Sequence, residues 1–218
     1  NDANKEKKNK KFDFSIIGGP HYSSDTKLGL GLVAAGLYRS DRNDTILPPS
    51  NVSLYGDVST VGFYLLGVRG THLFPHDKYR LNYNLYFYSF PSLYWGAGYD
   101  NGANSDNESD YDRFQAQMKM DFMFRLARNF YVGPMAVFDY VYGHGFEKPE
   151  LWEGMSTRTT NLSVGLSLLY DSRDFLTNAY KGYYLRIDQR FSPAFLGNKY
   201  AFSSTELDTR YYHTIWKG

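Results

Sequence analysis

Between Arg113 and Leu126 every even position is apolar (Phe114, Ala116, Met118, Met120, Phe122, Phe124 and Leu126). The odd positions Arg113, Gln115, Gln117, Lys119, Asp121 and Arg125 are polar, and only Met123 breaks the rule. Strict period-two alternation belongs to a β-strand whose two faces meet different surroundings. The run exceeds the roughly 9–11 residues that a tilted strand needs to cross a bilayer, whereas strands of soluble proteins average about 5–6 residues. What the chain can become therefore depends on whether its other segments repeat the pattern.

They do. Phe12 to Tyr22 and Leu28 to Arg39 read as two strands around the turn Ser23 to Lys27, the second with Leu28, Leu30, Leu32, Ala34 and Tyr38 on one face. Val52 to Val61 alternates again, and Phe63 to Phe74 does so less cleanly. After a turn at Pro75 to Lys78, Tyr79, Leu81, Tyr83, Leu85 and Phe87 oppose Arg80, Asn82, Asn84, Tyr86 and Tyr88. Tyr131 to Phe146 follows a tight connection at Arg128 and Asn129, and Pro134 marks an irregularity within it, since proline cannot donate to a ladder. Three further alternations cover Leu162 to Tyr170, Tyr183 to Phe191 and Leu207 to Ile215. The total is about ten strands, with a polar break at Ser40 to Ser50 and long polar loops at Gly96 to Asp110 and Glu147 to Arg158. Residues 1–11, NDANKEKKNKK, read as a polar, lysine-rich tail or linker ahead of a single β domain over 12–218.

Composition decides the surroundings. The chain is 18% aromatic, with 21 Tyr, 16 Phe and 3 Trp, and amphipathic rings favour the membrane–water interface. A mean hydropathy of −0.51 does not oppose this, because a transmembrane barrel confines its apolar residues to alternate positions. No run approaches the 18 or more apolar residues of a membrane helix, and the N-terminus carries no signal-peptide apolar region, so an exported form would be a mature or trimmed chain. Twenty-four Lys and Arg against 23 Asp and Glu give a net charge of +1, which offers nucleic acid no electrostatic attraction. Without cysteine there is no disulfide, thiolate nucleophile or cysteine-ligated zinc. The expected fold class is all-β, an antiparallel transmembrane β-barrel. Only closed sheets and helices satisfy the backbone in lipid. The polar face then turns to the lumen with Lys119, Asp121, Arg125, Arg186, Asp188, Arg190, Glu206, Asp208 and Arg210, whose mixed signs predict mutual pairing more than a pore tuned to one ion.

Two stretches carry a resemblance. Tyr170 to Leu185, YDSRDFLTNAYKGYYL, resembles the turn of the bacterial surface antigen superfamily, the BamA/TamA family of outer-membrane assembly proteins, at Asp171, Ser172, Arg173, Asp174, Asn178 and Gly182. His21 to Leu32, HYSSDTKLGLGL, is similar to that family's first hairpin. The resemblance implies a sixteen-stranded barrel, of which this chain is expected to supply the N-terminal portion. The family's Arg-Gly-aromatic loop tip would come after a strand ending near Trp216, and Val68-Arg69-Gly70-Thr71 is not that motif. The implied orientation makes the N-terminus periplasmic and turns Gly96 to Asp110, Glu147 to Arg158 and Ser192 to Phe202 outward.

The resemblance implies assembly, insertion or translocation of outer-membrane proteins through a lateral seam, where a client strand adds to an exposed edge. The candidate edge is Phe14, Ile16, Gly18, Gly19 and Pro20. Gly-Gly-Pro either weakens pairing there or marks a bulge or strand end. Outer-membrane lipids, client proteins and periplasmic assembly factors are the expected partners, and no cofactor is expected. Alternatives are an outer-membrane porin or transporter, a lipid hydrolase, and a soluble β-barrel with a ligand cavity. Against the hydrolase, His21, His72, His76, His144 and His213 are scattered and no GxSxG elbow is present. The Asx-rich 96–110 loop does not have the spacing of a calcium loop. The turn residues Asp171, Arg173 and Asp174 are expected to be structural, and no residue is assigned a catalytic role.

Overall fold

A computed structural model describes residues 12–41, 44 and 47–215. The expected tail (1–11) and the segment around Trp216 lie outside them. Ten strands follow one another: β1 (Phe12–Ser23), β2 (Lys27–Tyr38), β3 (Ser50–Ser59), β4 (Tyr64–Leu73), β5 (Tyr79–Tyr94), β6 (Ser109–Ala127), β7 (Phe130–His144), β8 (Arg158–Asp171), β9 (Gly182–Ser192) and β10 (Phe202–Tyr212). Each pairs antiparallel with its sequence neighbours in a single sheet of order β1 to β10. Among the described residues β1 and β10 each pair on one side only, so the sheet is open. The only α-helix among the described residues is one turn, α1 (Tyr99–Ala103), within the 95–108 loop.

The register assigns every side chain to a face. Cross-strand partners share a face, so Leu32, Gly56, Leu66, Phe87, Ala116 and Tyr140 fall on one side. Followed through all ten strands, this side carries no Asp, Glu, Lys or Arg except at strand ends, where Asp110, Asp112 and Arg158 lie beside the loops 95–108 and 145–157. The other side holds the charges, and it is the concave one. Lys119 on β6 meets Asp188 on β9 at 2.8 Å and Glu206 on β10 at 3.3 Å. In a flat sheet with strands about 4.8 Å apart these residues would stand roughly 14 and 19 Å away. The sheet curls as an arc of a barrel with the charges inside.

The outer face has the dimensions of a bilayer. From Leu28 to Tyr38 along β2, ten residue steps cover about 34 Å of strand, or about 26 Å of height at a tilt of roughly 40°. At the rim where β1 begins (the near rim), a belt of rings runs across β1, β2, β4, β5 and β6. Phe12, Tyr38, His72, Phe74, Tyr79, Phe122 and Phe124 follow one another with centroids 4.8–6.4 Å apart. Such girdles mark the interface in transmembrane barrels.

Several strands differ from their sequence-based bounds. β6 begins at Ser109, inside the expected loop, and β10 ends at Tyr212, before Ile215. β7 runs unbroken through Pro134, which pairs with Leu166 on β8; the irregularity is confined to the β6 side, where Phe122 and Met123 have no register partner. Neither a bulge nor a strand end occurs at Gly18-Gly19-Pro20, since β1 keeps register with β2 from Phe12 to Ser23. Short and long connections are not segregated by rim: the near rim carries the two-residue turn 128–129 and also the loops 39–49 and 172–181. The described ends of the 39–49 break are tied to the barrel, with Arg39 Nη1 donating to the Leu47 carbonyl at 2.6 Å and Ser40 Oγ donating to that of Leu73. Leu47 and Leu73 are buried.

Candidate functional site

The family-like turn lies at the near rim, in the 172–181 loop between β8 and β9, and each motif residue has a defined partner. Asp171, buried at the end of β8, accepts a two-pronged ion pair from Arg173 (Nε–Oδ1 2.8 Å, Nη2–Oδ2 2.9 Å). The Arg173 guanidinium also covers the Tyr184 ring at 4.5 Å and donates to the Leu176 carbonyl at 3.1 Å. Ser172 Oγ accepts from the Tyr183 amide at 3.0 Å. Asp174 Oδ1 gathers the amides of Phe175, Tyr180 and Lys181 at 3.0–3.2 Å. Desolvation, the largest single influence on Asp174, raises its pKa, but those amides together outweigh it and hold the carboxyl below the usual range. Asn178 donates to the Tyr180 hydroxyl at 3.2 Å. Gly182 sits at φ +118, where a side chain would overlap the Ser172 carbonyl, a close approach open to glycine alone.

This turn is locked to strands far from it in sequence. Arg80 on β5, only 6% exposed, pairs with Asp77 (2.8 Å) and Asp171 (3.4 Å), donates to the Tyr131 hydroxyl at 2.7 Å and lies 3.9 Å over the Tyr131 ring. The Tyr131 hydroxyl in turn donates to Asp77. Beside this cluster Met123, Tyr131 and Leu169 form an apolar core backed by Tyr184. Met123 breaks the alternation of β6 because it is buried there against Tyr131 and Leu169, beside its cross-strand partner Arg80. Arg125 is more loosely held, with Nη1 3.2 Å from the His76 carbonyl and 4.0 Å from Asp77.

Farther along the concave face the charges form a second cluster. Arg186 binds Asp121 at 2.6 Å and Asp188 at 2.9 Å, and Asp188 also accepts from Ser167 at 2.6 Å and pairs with Lys119. Glu206 joins through Lys119 and, at 4.0 Å, Arg190. Asp208 and Arg210 pair with each other on β10 at 2.6 Å. A pocket of about 210 Å³ opens among these groups. Buried ions need this density of partners, because desolvating a lone charge costs several kcal/mol.

The candidate edge contrasts with both clusters. Phe14 and Ile16 stand exposed on the outer face of β1, alternating with inward Ser15 and Ile17. Among the described residues one side-chain hydrogen bond ties β1 to another strand: His21 Nε2 meets Asp57 on β3 at 2.8–2.9 Å. It reaches across β2 over Gly29, where a Cβ would come within 2.6 Å of the imidazole.

Sequence reasoning missed Arg80, Asp77 and Tyr131. Arg80 sits on the polar face of an alternating strand three residues after Asp77, but nothing in local spacing reveals that Asp171 completes the cluster. His21–Asp57 was equally hidden, its only trace being glycines at Gly29 and Gly31. The remaining histidines meet other partners: His72 the Tyr38 hydroxyl, His76 and His144 the carboxylates of Asp44 and Asp112, and His213 the Tyr211 ring. Among the described residues no serine hydroxyl hydrogen-bonds a histidine, and no group of three or more His, Cys, Asp or Glu could hold a metal ion.

No curated protein matches the chain. The Omp85 superfamily domain matches residues 70–218, a span from β4 through β10 that contains the rim turn and the charged concave face. With the open antiparallel sheet, an outer face charged only at strand ends and the aromatic belt, that match places the protein in the bacterial outer membrane, and the chain belongs to the Omp85 superfamily.

Proposed function

We propose that this protein assembles, inserts or translocates outer-membrane proteins through a lateral seam at β1, with the N-terminus and the near rim on the periplasmic side. The observation that carries this reading is the difference in attachment. β5 to β9 are interlocked by ion pairs that skip strands, while β1 depends on its ladder with β2 and on His21–Asp57. Such a strand can exchange a neighbour at low cost, and an arriving client strand replaces backbone hydrogen bonds in kind. Phe14, Ile16, Gly18, Gly19 and Pro20 form the receiving edge. The rim turn of Asp171, Ser172, Arg173, Asp174, Asn178 and Gly182 acts as a structural pin that fixes the β8–β9 register, and the concave-face charges stiffen the wall opposite the seam. The partners are outer-membrane lipids, client barrel proteins and periplasmic assembly factors, and the role is not catalytic. The paired, inward charges support this reading over a porin, which needs a lumen lined by water-exposed charge.

The test is disulfide capture in cells. Ile17→Cys on β1 should form an adduct with a client barrel stalled during assembly and carrying a cysteine in its terminal strand, whereas Val137→Cys on β7 should not. Solute flux through the purified protein without any client adduct would overturn assembly in favour of a porin.

A further inference from the structure

Two glycines leave the outer face hollow where elsewhere it is padded. Gly18 on β1 and Gly56 on β3 occupy one cross-strand row, with Leu32 between them and Leu66 beyond. Leu30 and Val58 lie one row farther from the near rim. The hollow measures about 660 Å³, within the roughly 300–1,000 Å³ of ligand pockets.

Its chemistry restricts the occupant. β2 and β3 are each paired on both sides, so an added strand finds no free backbone donors or acceptors over the floor. Asp57 contributes to the floor, but its carboxylate and His21 belong to the opposite face and are engaged with each other, so Tyr64 is the one polar side chain on the outer side of the hollow and a headgroup finds no charged partner. Leu30, Leu32, Val58 and Leu66 stand more than half exposed around the hollow, on a face that the family places against bilayer hydrocarbon. We propose that this hollow is a binding seat for one acyl chain of a membrane phospholipid, which lies against the bare backbone of Gly18 and Gly56 and braces β1 from outside. The proposal rests on the outer-membrane placement of the protein and is independent of the assembly role.

Gly56 offers a clean test. A Cβ there would lie 3.6 Å from the Leu65 carbonyl oxygen and 3.9 Å from Leu66 Cδ1, ordinary contact distances, so Gly56→Leu fills the hollow without forcing the backbone. Gly18 is unsuitable, because its Cβ would come within 2.8 Å of the Gly31 carbonyl. The full-length protein, reconstituted with phosphatidylethanolamine and phosphatidylglycerol and extracted in mild detergent, is weighed by native mass spectrometry. Wild type should retain one phospholipid. Gly56→Leu should lower the bound fraction at least fivefold, and Val164→Leu, on the outer face of β8 away from the hollow, should leave it unchanged. Heat-modifiable migration verifies folding. If Gly56→Leu fails that check, a phospholipid with a mid-chain diazirine replaces it, and its label should concentrate on Leu32 and Leu66 of the wild type. Equal retention in wild type and Gly56→Leu, no retention in wild type, or label spread evenly over the outer face would overturn the seat. Absence of the folded protein from the outer-membrane fraction would instead overturn the placement beneath it.

Discussion

The two halves of the arc are built by different means. From β5 to β9 the concave face is filled by arginines that each hold two carboxylates, Arg80 with Asp77 and Asp171, Arg186 with Asp121 and Asp188. Arg80–Asp171 joins β5 to β8 and Arg186–Asp121 joins β9 to β6, strands that are not ladder neighbours, so these strands cannot move alone. From β1 to β4 the inner face turns to Gly29, Gly31, Ala35, Ser53 and Gly67, with His21–Asp57 as its cross-strand ion pair. The other side-chain links of these strands are uncharged hydrogen bonds such as Tyr38–His72, Tyr55–Asn84 and Thr71–Asn82, and a ladder held this way yields more readily, strand by strand. Stiffness in this molecule is therefore a property of the interior ion pairs, and the compliant region is the one where they are sparse.

Breaking the stiff half should have the largest effect. Arg80→Ala takes from Asp77 its two-pronged arginine and leaves buried Asp171 to Arg173 alone, and removing one partner of a buried pair costs about 3–5 kcal/mol. The urea midpoint of the folded barrel should fall accordingly, and an unchanged midpoint would mean that the rim cluster contributes nothing to rigidity. Gly165→Ala comes next. Its Cβ would overlap the Gln189 carbonyl on β9, and forcing β8 from β9 should cost about 1–3 kcal/mol. Gly19→Ala on β1 meets no atom within 4 Å and should be close to neutral in the same assay. Equal damage from the two alanines would erase the contrast between the halves.

Smaller effects sharpen it. His21→Ala removes a partly exposed pair worth about 1 kcal/mol or less. It should barely move global stability but raise the rate at which a cysteine at Ile17 is alkylated. No change in that rate would show that the pair does not hold β1. The smallest effect concerns Asp174. Its pKa is lowered in the folded chain, so its contribution is complete above the ordinary carboxylate value of 3.8 and is lost as pH falls through its own lower value. Protease cleavage within 172–181 should rise only below that range, and Asp174→Asn should make it independent of acid. Cleavage that climbs already between pH 5 and 6 would assign the effect to another group.

Much of this architecture was legible because alternation is a direct imprint of a two-faced strand. The regularity of β6, β8 and β9 and the turns at 24–26 and 128–129 follow from local residue types. β4 was harder to read because glycine and histidine (Gly70, His72) take outer positions while Leu65 and Leu73 turn inward. Leu73 is buried beneath a near-rim loop, a tertiary circumstance that no periodicity records. The rim cluster shows the same limit. Asp171 and Arg173 stand two residues apart and could be paired on paper, but Arg80 lies 91 positions from Asp171 and joins it only because the sheet curls. Curvature also turned the expectation of mixed, paired charges into particular pairs, since Lys119 and Glu206 meet across four strands.

Amide hydrogen exchange on the full-length protein in lipid nanodiscs separates a loose first strand from a stiff wall, since it reads the free energy of local opening strand by strand. Amides of β1, those of Ile16 to Gly19 in particular, should exchange at least a hundredfold faster than those of Val137 to Asp139 on β7, with β2 to β4 between them. Uniform protection from β1 through β9 would contradict this, and would leave an arc as rigid at its first strand as at its charged wall.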